Sequence, residues 1–200
     1  MPFDAQYFDE VYRQNDDPWG LHTHFYEARK RSILLASLPQ PQYRSAFEPA
    51  CATGALTAEL ARRCDALLAS DMNASAVERT RGLIAHLPHV TVQRLTVPVQ
   101  WPEQLFDLIV ISEFLYYLTE DHVDQLCARI RASLTADGTV AACHWKRPID
   151  AAIPRGERLH EFVGAQLGMH SVVHHDEADF VLDVWSRQSR SVAQAEGLAP

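Results

Sequence analysis

A length of 200 residues suits one domain with short additions, and 47 % apolar with 22 % charged residues are the proportions of an ordinary globular chain, not of a disordered or fibrous one. The formal net charge is −8, with dense basic runs only at Arg29-Lys30-Arg31 and Arg62-Arg63, which argues against nucleic acid, since a phosphate backbone calls for a clustered positive face. No run approaches the roughly eighteen uncharged apolar residues of a membrane span, and an acidic opening, MPFDAQYFDE, where a signal peptide would be basic then apolar, predicts a cytoplasmic protein.

Along the chain, Phe3 to Tyr12 and His24 to Leu38 read as two amphipathic helices, separated by the helix-breaking Asp16-Asp17-Pro18-Trp19-Gly20. From Ser45 onward short β-like runs alternate with helix-like stretches, the pattern of βαβ units and a parallel sheet. The expected order is strand Ser45 to Pro49, helix Ala55 to Arg63, strand Ala66 to Ser70, helix Asn73 to Leu87 and strand Val90 to Leu95. The run FDLIVIS, Phe106 to Ser112, is apolar on both faces and so predicts a central strand covered by helices. A helix from Glu120 to Leu134 follows, and Ala136-Asp137-Gly138 is read as a turn into strand Thr139 to Trp145.

The last third changes character. Arg155 to Leu167 reads as a helix ended by Gly168, after which His170 to His175 and Phe180 to Trp185 are close enough for an antiparallel pair. The expected fold class is α/β, a Rossmann-like, mostly parallel sheet with an antiparallel C-terminal hairpin. Residues 1–44 are read as an N-terminal helical lid, 45–187 as the cofactor-binding domain, and 188–200 as a mobile polar tail.

Four widely spaced cysteines without a C-x-x-C pair point to reduced, mostly buried thiols. The ten histidines include His170, His174 and His175 beside Asp176, but in a strand His174 and His175 face opposite sides, so no metal is assigned. His122 is read as a surface residue. His160 is usually a surface type as well, but lies on a helix able to cover an acceptor pocket.

Phe47-Glu48-Pro49-Ala50-Cys51-Ala52-Thr53-Gly54 joins the first strand to its helix through a tight turn of small residues, which lets backbone approach a ligand closely. Asp71 closes the second strand, where a Rossmann-type fold sets a carboxylate against ribose hydroxyls, or alternatively where an N-cap would stand. Ser112-Glu113 ends the central strand at the carboxyl edge, where open α/β sheets bind ligands.

In that order, these segments resemble motifs I and IV of class I S-adenosylmethionine (SAM)-dependent methyltransferases, with Ala50 and Ala52 standing where the family carries glycine. Adding Asp17-Pro18-Trp19, Tyr26-Glu27-x-Arg29, Cys51 to Thr57, and Leu105 to Val110 with Glu113-x-Leu115-Tyr116-Tyr117-Leu118, the chain is similar to the NodS group of nodulation methyltransferases. That resemblance implies SAM as cofactor and N-methylation of the free amine of a deacetylated chitooligosaccharide, or a related amino sugar. The implied cofactor set is Trp19, Arg29, Glu48, Ala50, Cys51, Gly54, Asp71, Met72, Thr96, Val97 and Ser112. Trp19 belongs to it as a lid residue or packs on the core, and Arg29 would meet a carboxylate.

Methyl transfer from a sulfonium needs mainly positioning and desolvation. An amine acceptor must be neutral to attack, so His144, leaving the fifth strand at the ligand edge, is either its proton acceptor or a strand-end residue bonded to backbone. Glu113 either orients the amine or caps the next helix. Tyr116 and Tyr117 wall the acceptor or join the core, and Trp145, Arg147 and His160 complete the acceptor set. An O-methyltransferase, a nicotinamide dehydrogenase lacking its G-x-G-x-x-G spacing, and a degenerate methyltransferase fold serving as a scaffold are the competing readings.

Overall fold

The computed structural model describes residues 5–149 and 155–200. Two helices, α1 (Ala5–Gln14) and α2 (Phe25–Ser37), precede the sheet. Phe3 and Asp4, the expected start of the first helix, lie outside the described residues. The sheet begins with β1 (Ala46–Pro49), β2 (Leu67–Asp71), β3 (Val90–Arg94) and β4 (Phe106–Ser112), interleaved with α3 (Ala55–Leu60) and α4 (Ala74–Ile84). After β4 come α5 (Glu120–Ser133), β5 (Leu134–Trp145), α6 (Gly156–Leu167), β6 (His170–Asp176), β7 (Phe180–Ser186) and α7 (Val192–Ala195).

The strand order is β3-β2-β1-β4-β5-β7-β6. The first five strands run parallel, and β7 is antiparallel to both β5 and β6. Alternation along β4 divides the core in two: Leu108 and Val110 join the layer built with α2, α3 and α4, while Ile109 and Ile111 join the layer under α5 and α6. All four cysteines are free and buried.

Local chemistry explains the element ends. Thr119 caps α5 by accepting the His122 N–H, with Glu120 and Asp121 adding favourable charge to the first turn. Asn73 caps α4 through the Ala76 N–H, and Gly168 closes α6 at a φ of 60°.

One expectation needs correction here. The stretch Ala136-Asp137-Gly138 is not a turn before the fifth strand, because β5 starts at Leu134. Its pairing jumps from Phe106–Leu134 to Leu108–Thr139, so those residues form a bulge inside the strand. Residues 188–200 include α7, whose residues are exposed and whose start is closed by a capping box between Ser191 and Gln194.

Candidate active site

The order of strands reverses between β1 and β4, and such a switch point leaves a crevice at the carboxyl ends of the strands. A cavity of about 710 Å³ occupies that place, roofed by α1, the following loop and the start of α2. On one side it is lined by Ala50 and Ala52 after β1, by Asp71 and Met72 at the end of β2, and by Leu95, Thr96 and Val97 after β3. On the other stand Ser112, Glu113 and Phe114 after β4, together with Tyr116, Tyr117 and Trp145.

The turn after β1 bends through left-handed conformations at Ala50 (φ 56°), Ala52 (φ 50°) and Gly54 (φ 83°). At Gly54 a Cβ would lie 2.8 Å from the Thr80 side chain, so glycine is also required by α4. Asp71 holds the turn in place: Oδ2 accepts the Ala52 N–H at 3.0 Å and Oδ1 accepts the Asn73 N–H at 2.8 Å. Burial lifts its carboxyl to about 6. Glu48 is buried beneath the turn without lining the cavity, and burial pushes it up to about 8. Cys51 and Gly54 likewise shape the turn from behind it, with Gly54 N–H donating to the Cys51 carbonyl at 3.0 Å.

The opposite wall is charged. Glu113 has a φ of 59°, unusual for a residue with a side chain, and such strain collects at functional sites. One of its oxygens pairs with the Lys30 ammonium; the other accepts the Tyr116 hydroxyl at 2.6 Å and the Trp145 N–H at 3.0 Å. Lys30 also meets Glu27 at 3.0 Å and lies over the Tyr26 ring, 5.1 Å from its centroid. Burial opposes charge on Lys30, but Glu113 and Glu27 together outweigh it and raise its pKa.

Lys30, Glu27 and Tyr26 were given no place in the site from the sequence, where Tyr26 and Glu27 counted only toward the family resemblance and Lys30 sat in a basic run. The signal was periodic: Glu27, Lys30 and Leu34, spaced three and four apart, are the buried residues of α2.

The N-terminal elements are tied down. Asp9 accepts the Asn73 side-chain amide at 2.6 Å, Arg79 bonds Asp16 at 2.5 Å, and His22 meets the Thr53 hydroxyl at 2.9 Å. Trp19 lines the cavity with its ring edge-on to Tyr12 at 5.5 Å. Tyr117 packs between Phe8 and Tyr116 at 5.3 and 4.7 Å.

Several expected site residues lie elsewhere. His144 is fully buried and does not line the cavity; its Nε2 accepts the Leu115 N–H at 3.3 Å. Burial holds its pKa well below the ordinary imidazole value. His160 is buried against it instead of covering the cavity. Arg29 is drawn to Glu177 in a two-pronged pair of 2.7 and 2.8 Å, and Arg147 to Asp179 at 2.7 Å. His174 and His175 turn to different carboxylates, Asp183 and Glu177. Among the described residues, His24 and His122 are the imidazoles that line the cavity; His122, read as a surface residue, has its Nδ1 buried without a partner there.

Similarity to known proteins agrees with this geometry. A Nodulation protein S from Rhizobium tropici is 39 % identical over 104 residues, 52 % of this chain and 44 % of that protein. The chain spans about half the length of the nodulation proteins it matches, 44 % to 55 %. The solved structure of a candidate methyltransferase from Pseudomonas syringae is 44 % identical with a TM-score of 0.73, covering 82 % of this chain and 99 % of its own. That of N-methyltransferase NodS from Bradyrhizobium japonicum WM9, in complex with S-adenosyl-L-homocysteine (SAH), is 26 % identical with a TM-score of 0.78, covering 92 % and 98 %. The fold is that of the class I methyltransferases, no helix among the described residues is long and apolar enough to cross a membrane, and with residues 8–142 matching the family model Nodulation protein S (NodS), the chain belongs to the NodS family.

Proposed function

We propose that this chain transfers a methyl group from SAM to the amine nitrogen of a small molecule, with an amino sugar or short amino-oligosaccharide as the acceptor class. The observation that carries the reading is a cavity at the switch point with Asp71 at one side and the Lys30–Glu113 pair at the other. When bound, SAM supplies a sulfonium methyl group with a good leaving group. The left-handed turn at Ala50 and Ala52 presents backbone to the cofactor, Asp71 offers carboxylate oxygens to ribose hydroxyls, and Leu95 to Val97 border the adenine side. The solved NodS with SAH supports this assignment.

At the other wall the Glu27–Lys30–Glu113 cluster carries one negative charge in excess, which suits an acceptor arriving as an ammonium. Glu113 already accepts three donors, so it serves to hold and orient the amine. The amine must shed its proton to attack, so turnover rises with pH toward the acceptor's own pKa. Tyr116, Tyr117 and Trp145 wall the acceptor, and the N-terminal helices act as a lid that excludes water. A cytoplasmic location fits a soluble cofactor of this kind.

The test has two stages. SAM or SAH at about a hundred times its dissociation constant should stabilise the fold by about 2.7 kcal/mol, with NAD inert. Labelled SAM is then offered glucosamine, deacetylated chitooligosaccharides and their hydroxyl analogues. No shift with either sulfur ligand overturns the cofactor assignment, and transfer confined to hydroxyls overturns the amine.

A further inference from the structure

A backbone N–H can only donate, and this sets the direction of a buried hydrogen-bond chain that begins beside the cavity. Leu115 donates to His144 Nε2 at 3.3 Å, His144 Nδ1 lies 2.8 Å from His160 Nε2, and His160 Nδ1 lies 2.7 Å from Asp183 Oδ2. Because His144 Nε2 accepts, its proton sits on Nδ1 and is donated to His160. The His160 proton then sits on Nδ1 and is donated to Asp183, whose other oxygen meets His174 at 2.8 Å. Both buried imidazoles are thus neutral, each with one acceptor and one donor in use.

The chain crosses three elements, β5, α6 and β7, and ends on β6 at His174, whose side chain is 63 % exposed. Close approach of α6 to β5 depends on Gly156, where a Cβ would lie 2.7 Å from the Trp145 carbonyl oxygen. At the cavity end the chain holds the short 3-10 turn Leu115–Tyr117. The His144 ring lies 5.6 Å from the Tyr116 ring and perpendicular to it, and the Tyr116 hydroxyl donates to Glu113.

We propose that His144, His160 and Asp183 are positioning residues, which fix the Leu115–Tyr117 turn and, through Tyr116, aim the Glu113 carboxylate at the acceptor. The proposal rests on the acceptor role of Glu113 given above. A purely structural chain would support the fold alike whether or not the turn is addressed.

The experiment uses the full chain with His144→Leu, His144→Gln and His144→Asn. Leucine strands the Leu115 N–H and His160 Nε2. Glutamine carries its amide at the ε position, so its oxygen can still accept the Leu115 N–H where Nε2 did. Asparagine, one carbon shorter, keeps His160 and releases Leu115, and it remains informative if the leucine variant does not fold.

In the parent, long-range proton–nitrogen spectra should show His144 and His160 neutral with the proton on Nδ1. Leucine and asparagine should lower kcat/KM for the acceptor by about 10- to 100-fold, with SAH affinity within twofold, and glutamine should recover most of the loss. Amide shifts of residues 113–117 should move in the leucine and asparagine variants and stay near the parent in glutamine. Those shifts and the tautomers are read without turnover, so they test the chain even if no acceptor is methylated. Reversed tautomers, unmoved amides at 113–117, or unchanged kcat/KM in both disruptive variants overturns the proposal.

Discussion

Lys30 and Glu113 form an ion pair that joins α2 to the end of β4 across 83 positions of sequence, and the Lys30 side chain is only 6 % exposed. Removing one partner of a buried pair leaves an uncompensated charge, typically a loss of about 3–5 kcal/mol. Lys30→Met should therefore destabilise by that order, since both Glu27 and Glu113 lose their counter-ion. The double variant Lys30→Met with Glu113→Gln should recover part of it. Urea midpoints measure both, and a loss under about 0.5 kcal/mol in the single variant would place the pair in solvent. The raised Lys30 pKa implies that its stabilisation is fully present below the ordinary value of 10.5 and is lost only as pH rises through the higher folded value.

Asp71 predicts opposite pH trends for stability and for ligand binding. Burial raises it from 3.8 to about 6, so in that window the folded chain holds a proton that the unfolded chain has lost. Its contribution to stability accordingly falls as pH rises across the window and is level above it. Ribose hydroxyls need the carboxylate, so SAH affinity should rise through pH of about 6 and then plateau. Asp71→Asn should weaken SAH by about 1.5–3 kcal/mol and flatten that profile. Calorimetric titration at several pH values decides it; a variant matching the parent removes Asp71 from the cofactor site.

Ala50 and Ala52 hold left-handed backbone that costs an L-residue about 1–2 kcal/mol, against about 0.4–1 kcal/mol of unfolded-state entropy when glycine is introduced. Ala50→Gly and Ala52→Gly should each raise stability by about 0.5–1 kcal/mol. SAH affinity should change little, because the turn keeps its path and the Ala52 N–H still reaches Asp71. Destabilisation by either variant in thermal denaturation would mean that the turn takes another path.

These relationships differ in how far they could be read from the chain alone. The central strand was legible because FDLIVIS is apolar on both faces, and Asp71 because a strand end followed by a helix cap has few placements in an α/β sheet. His144 was legible as a strand-end residue, but the face it turns to depends on α6, which Gly156 admits against β5. Arg29 and Arg147 were drawn toward the site by proximity in sequence. Their partners, Glu177 and Asp179, come from the β6–β7 hairpin, and Glu177 lies 148 positions from Arg29. The bulge in β5 was hidden because Ala-Asp-Gly has the composition of a turn, and only pairing with β4 shows it to be part of the strand.

The charge on the cavity wall that carries Glu113 gives the last prediction. Glu113→Gln keeps nearly the same shape and still offers an oxygen to the Tyr116 hydroxyl, but it removes the negative charge opposite Lys30. Lys30 retains Glu27, so the local charge changes from one negative in excess to balance. A hydrogen bond to a charged partner contributes about 1.5–3 kcal/mol, so affinity for an acceptor bound as an ammonium should fall by about 10- to 150-fold. A hydroxyl analogue of the same acceptor carries no charge and should bind the variant about as well as the parent. SAH affinity should be unaffected, because Glu113 stands on the wall opposite Asp71. Competition of each analogue against methyl transfer to the amine, for parent and variant at a pH below the amine's pKa, separates these effects. A variant that loses amine and hydroxyl analogues equally would show that Glu113 shapes the pocket without reading charge, and one that loses neither would take Glu113 out of acceptor recognition.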